Sequence, residues 1–166
     1  MLLLLRIIIF IIIFFISFSK IFAADIPIIV IAPGKSVQSY SAVGSAVSVV
    51  NSEDLENTGE FFLGNALDNN VTGMNYFRSG GHGTITGIQL RGLPKRYSTV
   101  YIDGVKMSDP SSSDNSFYIS NIMNSAIDKV EILRGSQSSL YGSSAVGGTI
   151  NIFTKRGGEG QNKKFE

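Results

Sequence analysis

The sequence contains no cysteine, no tryptophan and a single histidine among its 166 residues. The lack of cysteine excludes disulfide scaffolds, thiolate zinc sites and cysteine nucleophiles, and one histidine excludes a multi-histidine metal site. The 14 basic and 13 acidic residues form no basic block. Because neutralising phosphates requires clustered lysine and arginine, nucleic acid is not expected as a partner. No metal or other cofactor is expected.

Residues 1–23 differ in composition from the rest of the chain. Arg6 follows four leucines, an apolar run extends to Phe18, and small residues precede the polar Asp25. This pattern is typical of a signal peptide, and we predict cleavage after Ala23. An uncleaved N-terminal anchor is the alternative, although the apolar run of about 12 residues would span only ~18 Å as a helix, against ~30 Å of hydrocarbon.

The remaining chain contains all 18 glycines and alternates short apolar segments with turn residues. Alternation predicts strands at residues 46–50, 88–90, 100–102, 129–134 and 149–155. Asp103 and Gly104 predict a tight hairpin turn that returns the chain along residues 105–107. Helical spacing of apolar residues predicts helices that start near Ser52, that cover residues 60–68, and that include residues 122–127. The pattern favours a sheet-rich α+β domain.

The glycine-rich segments do not have the spacing of a nucleotide site. No G-x-x-x-x-G-K-[S/T], G-x-G-x-x-G or G-x-S-x-G pattern occurs. A secreted hydrolase would need His82 as its base, and a solvated loop position is the simpler interpretation of that residue. We therefore expect no enzyme activity.

Arg91 and Arg134 each end an apolar strand directly before a glycine. A guanidinium at such a turn can pair with a carboxylate through two parallel hydrogen bonds. One possibility is a salt bridge to Glu131 within the domain. The alternative is a carboxylate on another domain.

Residues 25–32 form a second feature with two possible interpretations. The segment is apolar and rich in β-branched residues, and Pro33 and Gly34 separate it from the next apolar segment. It is either an edge strand that binds a partner or the first strand of the core sheet.

Three motifs together resemble one known family. They are Gln89-Leu90-Arg91-Gly92, the hairpin that begins at Val100, and residues 126–155, which contain Val-Glu-Ile-Leu-Arg-Gly and Leu-Tyr-Gly-Ser-Ser-Ala-Val-Gly-Gly-Thr-Ile-Asn-Ile. Their order and spacing are similar to those of the plug domain of TonB-dependent outer-membrane receptors. The resemblance covers about residues 25–158. Its loop spacing is most similar to that of cobalamin receptors, followed by iron-siderophore receptors.

The resemblance implies a small mixed β-sheet with short helices, an α+β plug that closes a transmembrane β-barrel. The implied organisation is a signal peptide at 1–23, a TonB-box segment and linker at 24–41, the plug domain at 42–156, and a linker with the start of the first barrel strand at 157–166. Since a barrel needs at least eight strands of about 9–11 residues, we expect the barrel to be absent from this chain.

The resemblance also implies site residues. The TonB-binding strand would comprise Asp25, Ile28, Ile29, Val30, Ile31 and Ala32. Arg91 and Arg134 would lock the plug to glutamates of the barrel wall. Two apical loops would face the extracellular ligand; their residues are Arg78, Ser79, Gly80, Gly81, His82, Gly83 and Thr84 in the first, and Met107, Ser108, Asp109, Ser111, Ser112, Ser113, Asp114 and Asn115 in the second.

The function implied is gating of nutrient uptake across the outer membrane of a Gram-negative bacterium, with the plug facing the periplasm and the barrel lumen. The partners would be TonB and a small-molecule nutrient such as cobalamin or an iron-siderophore. The alternative is a free-standing periplasmic binding module without a barrel. The gene sequence beyond codon 166 would distinguish the two.

Overall fold

A computed structural model of the protein describes residues 29–30, 34–40 and 43–157. The predicted signal peptide and its cleavage site lie outside these residues. Within the described ranges, no helix is both long enough and apolar enough to cross a membrane.

A five-stranded sheet forms the centre of the domain. Its strands are β3 (Ala46–Asn51), β8 (Ile127–Arg134), β9 (Gly148–Thr154), β6 (Ser98–Ile102) and β7 (Val105–Met107), in that spatial order. Only the β6–β9 pair is parallel. The sheet is therefore mixed, which confirms the predicted α+β fold class.

Two short ribbons accompany this sheet. Strands β4 (Met74–Arg78) and β5 (Thr86–Leu90) pair along their whole length, with Met74 opposite Leu90. The strands β1 (Ile29–Val30) and β2 (Gln38–Ser39) form the other ribbon, with Ile29 opposite Ser39. Ile29 and Val30 therefore pair outside the central sheet, so their interpretation as part of its first strand is wrong.

The core lies between one face of the central sheet and two helices, α1 (Ser52–Asn57) and α2 (Leu63–Asn70). The N–H of Asn51 donates to the carboxylate of Asp54 at 3.1 Å, which caps α1. Apolar side chains of helices, ribbon and sheet pack together in this core, among them Leu55, Leu63, Leu67, Leu90, Val130, Ile132, Ile150 and Ile152. Their burial is the main source of the domain's stability.

Helix α2 docks on the β4–β5 ribbon through a glycine contact. A Cβ on Gly64 would lie only 2.4 Å from the ring of Tyr76, so the ring packs directly on the helix backbone. The N–H of Tyr76 also donates to the Asp68 carboxylate at 2.8 Å. This contact fixes the direction in which the ribbon leaves the core, and hence the position of the loop at its tip.

The helices predicted at residues 60–68 and 122–127 were both partly wrong, and the same hydrogen bonds explain both differences. Helix α2 begins at Leu63 rather than at residue 60, and residues 122–127 form a 3₁₀ turn (Asn124–Ala126) and the start of β8 instead of an α-helix. Leu63 N–H donates to Ile122 O at 2.9 Å, and Asn124 N–H donates to Phe61 O at 3.0 Å. This antiparallel pairing holds both segments extended, so tertiary hydrogen bonds override the helical spacing.

The connections contain two elements that were not predicted. A 3₁₀ turn (Lys95–Tyr97) precedes β6, and a one-turn helix α3 (Ser138–Tyr141) lies within the glycine-rich segment between β8 and β9. Helix α3 covers the second face of the sheet, where Tyr101 donates to the main-chain oxygen of Tyr141 at 3.0 Å. Burial, together with the neighbouring Tyr101 and Glu131, raises the pKa of Tyr141 to about 12.

Candidate functional site

The two predicted lock arginines meet at one edge of the domain. Arg91 follows β5 in a left-handed conformation with φ +54°, and its N–H donates to Gly73 O at 2.9 Å. The Arg91 Nη1 atom would lie 3.5 Å from a Cβ on Gly135, the residue directly after Arg134. Two strand ends that are far apart in sequence therefore lie next to each other, and the Arg91 side chain reaches the turn that follows Arg134.

Arg134 is anchored more firmly than Arg91. Its Nη2 donates to Ser48 Oγ at 2.8 Å, and its Nη1 donates to the main-chain oxygen of Thr72. Its Nε is buried and has no hydrogen-bond partner among the described residues. A guanidinium can also pair with a carboxylate, which is the partner that the sequence predicts for this arginine.

That carboxylate is not Glu131. The Glu131 side chain is fully buried and pairs with Lys129 Nζ at 2.6 Å. Within residues 29–30, 34–40 and 43–157, neither Arg91 nor Arg134 forms a salt bridge. The interpretation of these arginines as an internal salt bridge with Glu131 is therefore wrong.

The fold brings the two predicted apical loops together. The first joins β4 to β5, and the second follows β7. Residues of both loops, with a short segment after the second, line a cleft of about 430 Å³; they include Gly83, Thr84, Ser108, Asp109, Phe117 and Tyr118. Sequence reasoning named most of the loop residues, but it did not identify Phe117 or Tyr118, whose contribution depends on the path of the chain after the loop.

Within the first loop, the only histidine has a structural role. His82 Nδ1 lies 3.3 Å from Arg78 Nη1, and its ring centroid lies 4.7 Å from that of Phe62. The contact with Arg78 lies within the loop, and the ring contact holds the loop against Phe62 in the connection between α1 and α2. In the described part of the chain His82 has no hydrogen bond to a serine, so it forms no nucleophile and base pair there.

The second loop is ordered by its own aspartates. Asp109 accepts hydrogen bonds from Ser111 N–H at 2.9 Å and Ser111 Oγ at 2.6 Å, which lower the pKa of Asp109. Asp114 forms a salt bridge with Lys95 at 3.4 Å. Lys95 Nζ also lies 4.8 Å from the centre of the Tyr118 ring, so this lysine ties the loop to the turn before β6. Lys95 has no recognisable signal in the sequence.

The predicted TonB-binding strand is described only in part. Ile29 and Val30 pair with Ser39 and Gln38, while Asp25, Ile28, Ile31 and Ala32 lie outside the described residues. The backbone of the segment is extended where it is described, as a strand-pairing role requires. In this part of the chain, no group of three or more histidine, aspartate or glutamate side chains is arranged to hold a metal ion.

Comparison with known proteins identifies the class of protein that this fold defines. The sequence profile described as TonB-dependent Receptor Plug Domain matches residues 39–149. The chain belongs to this family, which confirms the resemblance.

Relatives of both predicted kinds are found. The vitamin B12 transporter BtuB of Photobacterium profundum is 32% identical over 139 residues, which cover 82% of this chain and 22% of that protein. BtuB of Vibrio cholerae strain O395 is 30% identical over 127 residues, covering 76% of this chain and 20% of that protein. The chain thus spans about a fifth of the length of these relatives.

Solved receptors share the fold. The ferric yersiniabactin uptake receptor FyuA of Yersinia pestis superposes with a TM-score of 0.53 at 30% identity, covering 70% of this chain and 18% of that receptor. The alcaligin outer-membrane receptor FauA of Bordetella pertussis gives a TM-score of 0.61 at 23% identity, covering 77% of this chain and 21% of that receptor. These named relatives are transporters and receptors.

Proposed function

We propose that this domain is the gate of an outer-membrane receptor that takes up a scarce nutrient such as cobalamin or an iron-siderophore. The proposal rests above all on one observation. Arg91 and Arg134 stand together at one edge without a carboxylate among the described residues, although the rest of the domain is well packed. Such a pair is suited to bind acidic side chains of a surrounding wall.

The mechanism couples three parts of the domain. Ligand binds at the cleft between the apical loops, the arginine pair holds the plug in its wall, and the strand at residues 25–32 serves as the handle for TonB. Because both loops meet in one cleft, a ligand that contacts both favours one arrangement of the domain over another. Pairing of TonB with the handle then supplies the energy that opens a path.

The handle relies on backbone hydrogen bonds. Ile29 and Val30 are extended, and in the described part of the chain they pair with Ser39 and Gln38 of β2. A strand of TonB can pair with the same segment in place of β2. We place the protein in the outer membrane of a Gram-negative bacterium, with this strand on the periplasmic side.

Replacing Ile29 by proline tests the proposal. Proline lacks the N–H needed for strand pairing, so Ile29→Pro should abolish uptake of labelled cyanocobalamin or ferric siderophore by the receptor expressed from its own gene. The matched control is Ile29→Val, which keeps both the donor and the β-branched side chain and should transport normally. Surface binding of the nutrient should persist in both variants. Full uptake by Ile29→Pro would refute the assignment of the handle.

A further inference from the structure

Lys95 contacts both walls of the cleft between the apical loops, although it does not line the cleft itself. It begins the 3₁₀ turn before β6, in which Tyr97 N–H donates to Pro94 O at 2.9 Å. Gly147 N–H donates to Tyr97 O at 2.9 Å, which holds this turn against the glycine-rich segment before β9. The Lys95 side chain is 23% exposed, so most of it is covered by its neighbours.

The ammonium group of Lys95 holds the wall that contains the second apical loop. Its Nζ lies 3.4 Å from the Asp114 carboxylate and 4.8 Å from the centre of the Tyr118 ring. Asp114 is itself held in place, because it accepts a hydrogen bond from Ser116 N–H at 3.2 Å. Tyr118 lines the cleft, whereas Asp114 does not. One cation therefore joins the loop to the ring that follows it, and it acts on a ligand through that ring.

The aliphatic stem of the same lysine packs on the wall that contains the first apical loop. A Cβ on Gly87 would lie 3.1 Å from Lys95 Cδ, and it would collide with the ring of Phe77, the residue opposite Gly87 in the ribbon. Gly87 belongs to β5 and comes two residues after Ile85, which lines the cleft. The lack of a side chain at Gly87 lets the stem approach the strand backbone closely.

From these contacts we propose that Lys95 is the positioning residue of the ligand cleft. It holds Tyr118 and the second loop at a fixed separation from β5 and the first loop, so the cleft is formed before a ligand arrives. A preformed site binds more tightly, because the ligand does not have to order the loops. The inference rests on the proposed function, which assigns ligand binding to this cleft.

Saturation binding to cells that express the whole receptor from its own gene tests this role. The probe is labelled cyanocobalamin or ferric enterobactin, whichever the unaltered receptor takes up. Lys95→Met keeps an unbranched side chain but removes the charge. It should weaken binding about tenfold, because a partly exposed ion pair and a cation–π contact are both lost.

The number of binding sites and the uptake at saturating ligand separate positioning from a general loss of structure. Both should be the same in Lys95→Met as in the unaltered receptor. A purely structural role would instead lower both quantities and leave the affinity unchanged. That result, or unchanged affinity with unchanged uptake, would overturn the proposal.

Two variants serve as controls. Lys95→Arg keeps a cation for Asp114 and for the Tyr118 ring, so it should bind the probe within about twofold of the unaltered receptor. Lys155→Met removes a lysine that pairs with Glu56 at 3.1 Å and does not line the cleft, so it should bind normally. A loss of affinity in Lys155→Met equal to that in Lys95→Met would overturn the proposal.

NMR spectroscopy of the whole chain distinguishes failure of this inference from failure of the proposed function, because it needs no ligand. In Lys95→Met, the amide resonances of Tyr118 on one wall and of Ile85 and Gly87 on the other should shift, whereas in Lys155→Met they should not. Unchanged resonances on either wall would refute the positioning role, whatever the receptor transports. If these shifts occur but the unaltered receptor takes up neither nutrient, the uptake function is refuted and the link between the two walls stands.

Discussion

Gly148 is the position at which one added carbon atom should damage the domain most. It begins β9, pairs with Arg134 on one side and Ser98 on the other, and has φ +147°. A Cβ at this position would lie 2.1 Å from Leu133 O and 2.8 Å from Leu90 Cδ1. The first of these neighbours is backbone in the middle of the sheet, so it cannot move without displacing β8.

The cost of Gly148→Ala has two parts. A non-glycine residue in this conformation costs about 1–3 kcal/mol, and overpacking a filled site costs about 1–3 kcal/mol more. We expect the variant to lose about 4 kcal/mol of the free energy of unfolding, a large share of the 5–15 kcal/mol typical of a domain. Because Arg134 lies opposite Gly148, the same substitution should also disturb the arginine pair.

Alanine substitutions at two other glycines distinguish the conformational cost from the cost of overpacking. Gly142 has φ +89°, but a Cβ there would meet nothing within 4 Å, so Gly142→Ala should show the conformational cost alone. Gly44 has an ordinary φ and equally open surroundings, so Gly44→Ala should be nearly neutral. Urea denaturation followed by circular dichroism measures all three variants. If Gly148→Ala is no less stable than Gly142→Ala, the steric reasoning is wrong.

Two further predictions concern the turn between β6 and β7 and the arginine pair. Thr154 donates to Asp103 through its hydroxyl at 2.6 Å and its N–H at 3.0 Å, and these bonds lower the pKa of Asp103. The ionised Asp103 carboxylate therefore stabilises the folded domain fully above its unfolded-state pKa, and this stabilisation is lost as the pH falls through its folded-state pKa. Asp103→Asn should thus make the free energy of unfolding less dependent on pH on the acid side, as measured by urea denaturation between pH 7 and 3. An unchanged pH dependence would contradict this. Arg91→Glu should change the stability of this chain by less than about 0.5 kcal/mol, because the side chain is exposed, yet it should strongly reduce nutrient uptake by the receptor. Suppressor mutations that exchange an acidic for a basic residue outside residues 43–157 are expected to restore uptake, and suppressors found only within that range would refute the wall contact.

The sequence alone determined the class of the fold and most of its strands. The reason is that the deciding signals are local. Val130 and Ile132 alternate with Lys129 and Glu131, and Asp103 and Gly104 both adopt the positive φ that their turn requires. The three motifs also led to the family, because their glycines and arginines stand at strand ends with fixed spacing. Residues 39–149 match that family.

The tertiary structure decided what depends on contacts between distant segments. Leu63 and Phe61 bond to Ile122 and Asn124, which local helical spacing cannot reveal. Glu131 pairs with Lys129, two residues away, while Arg134 donates to Ser48 and Thr72 instead. Phe117 and Tyr118 join the two apical loops in lining one cleft, and no sequence pattern marks them for it. Local propensity thus set the elements, while hydrogen bonding and packing between distant residues set the sites.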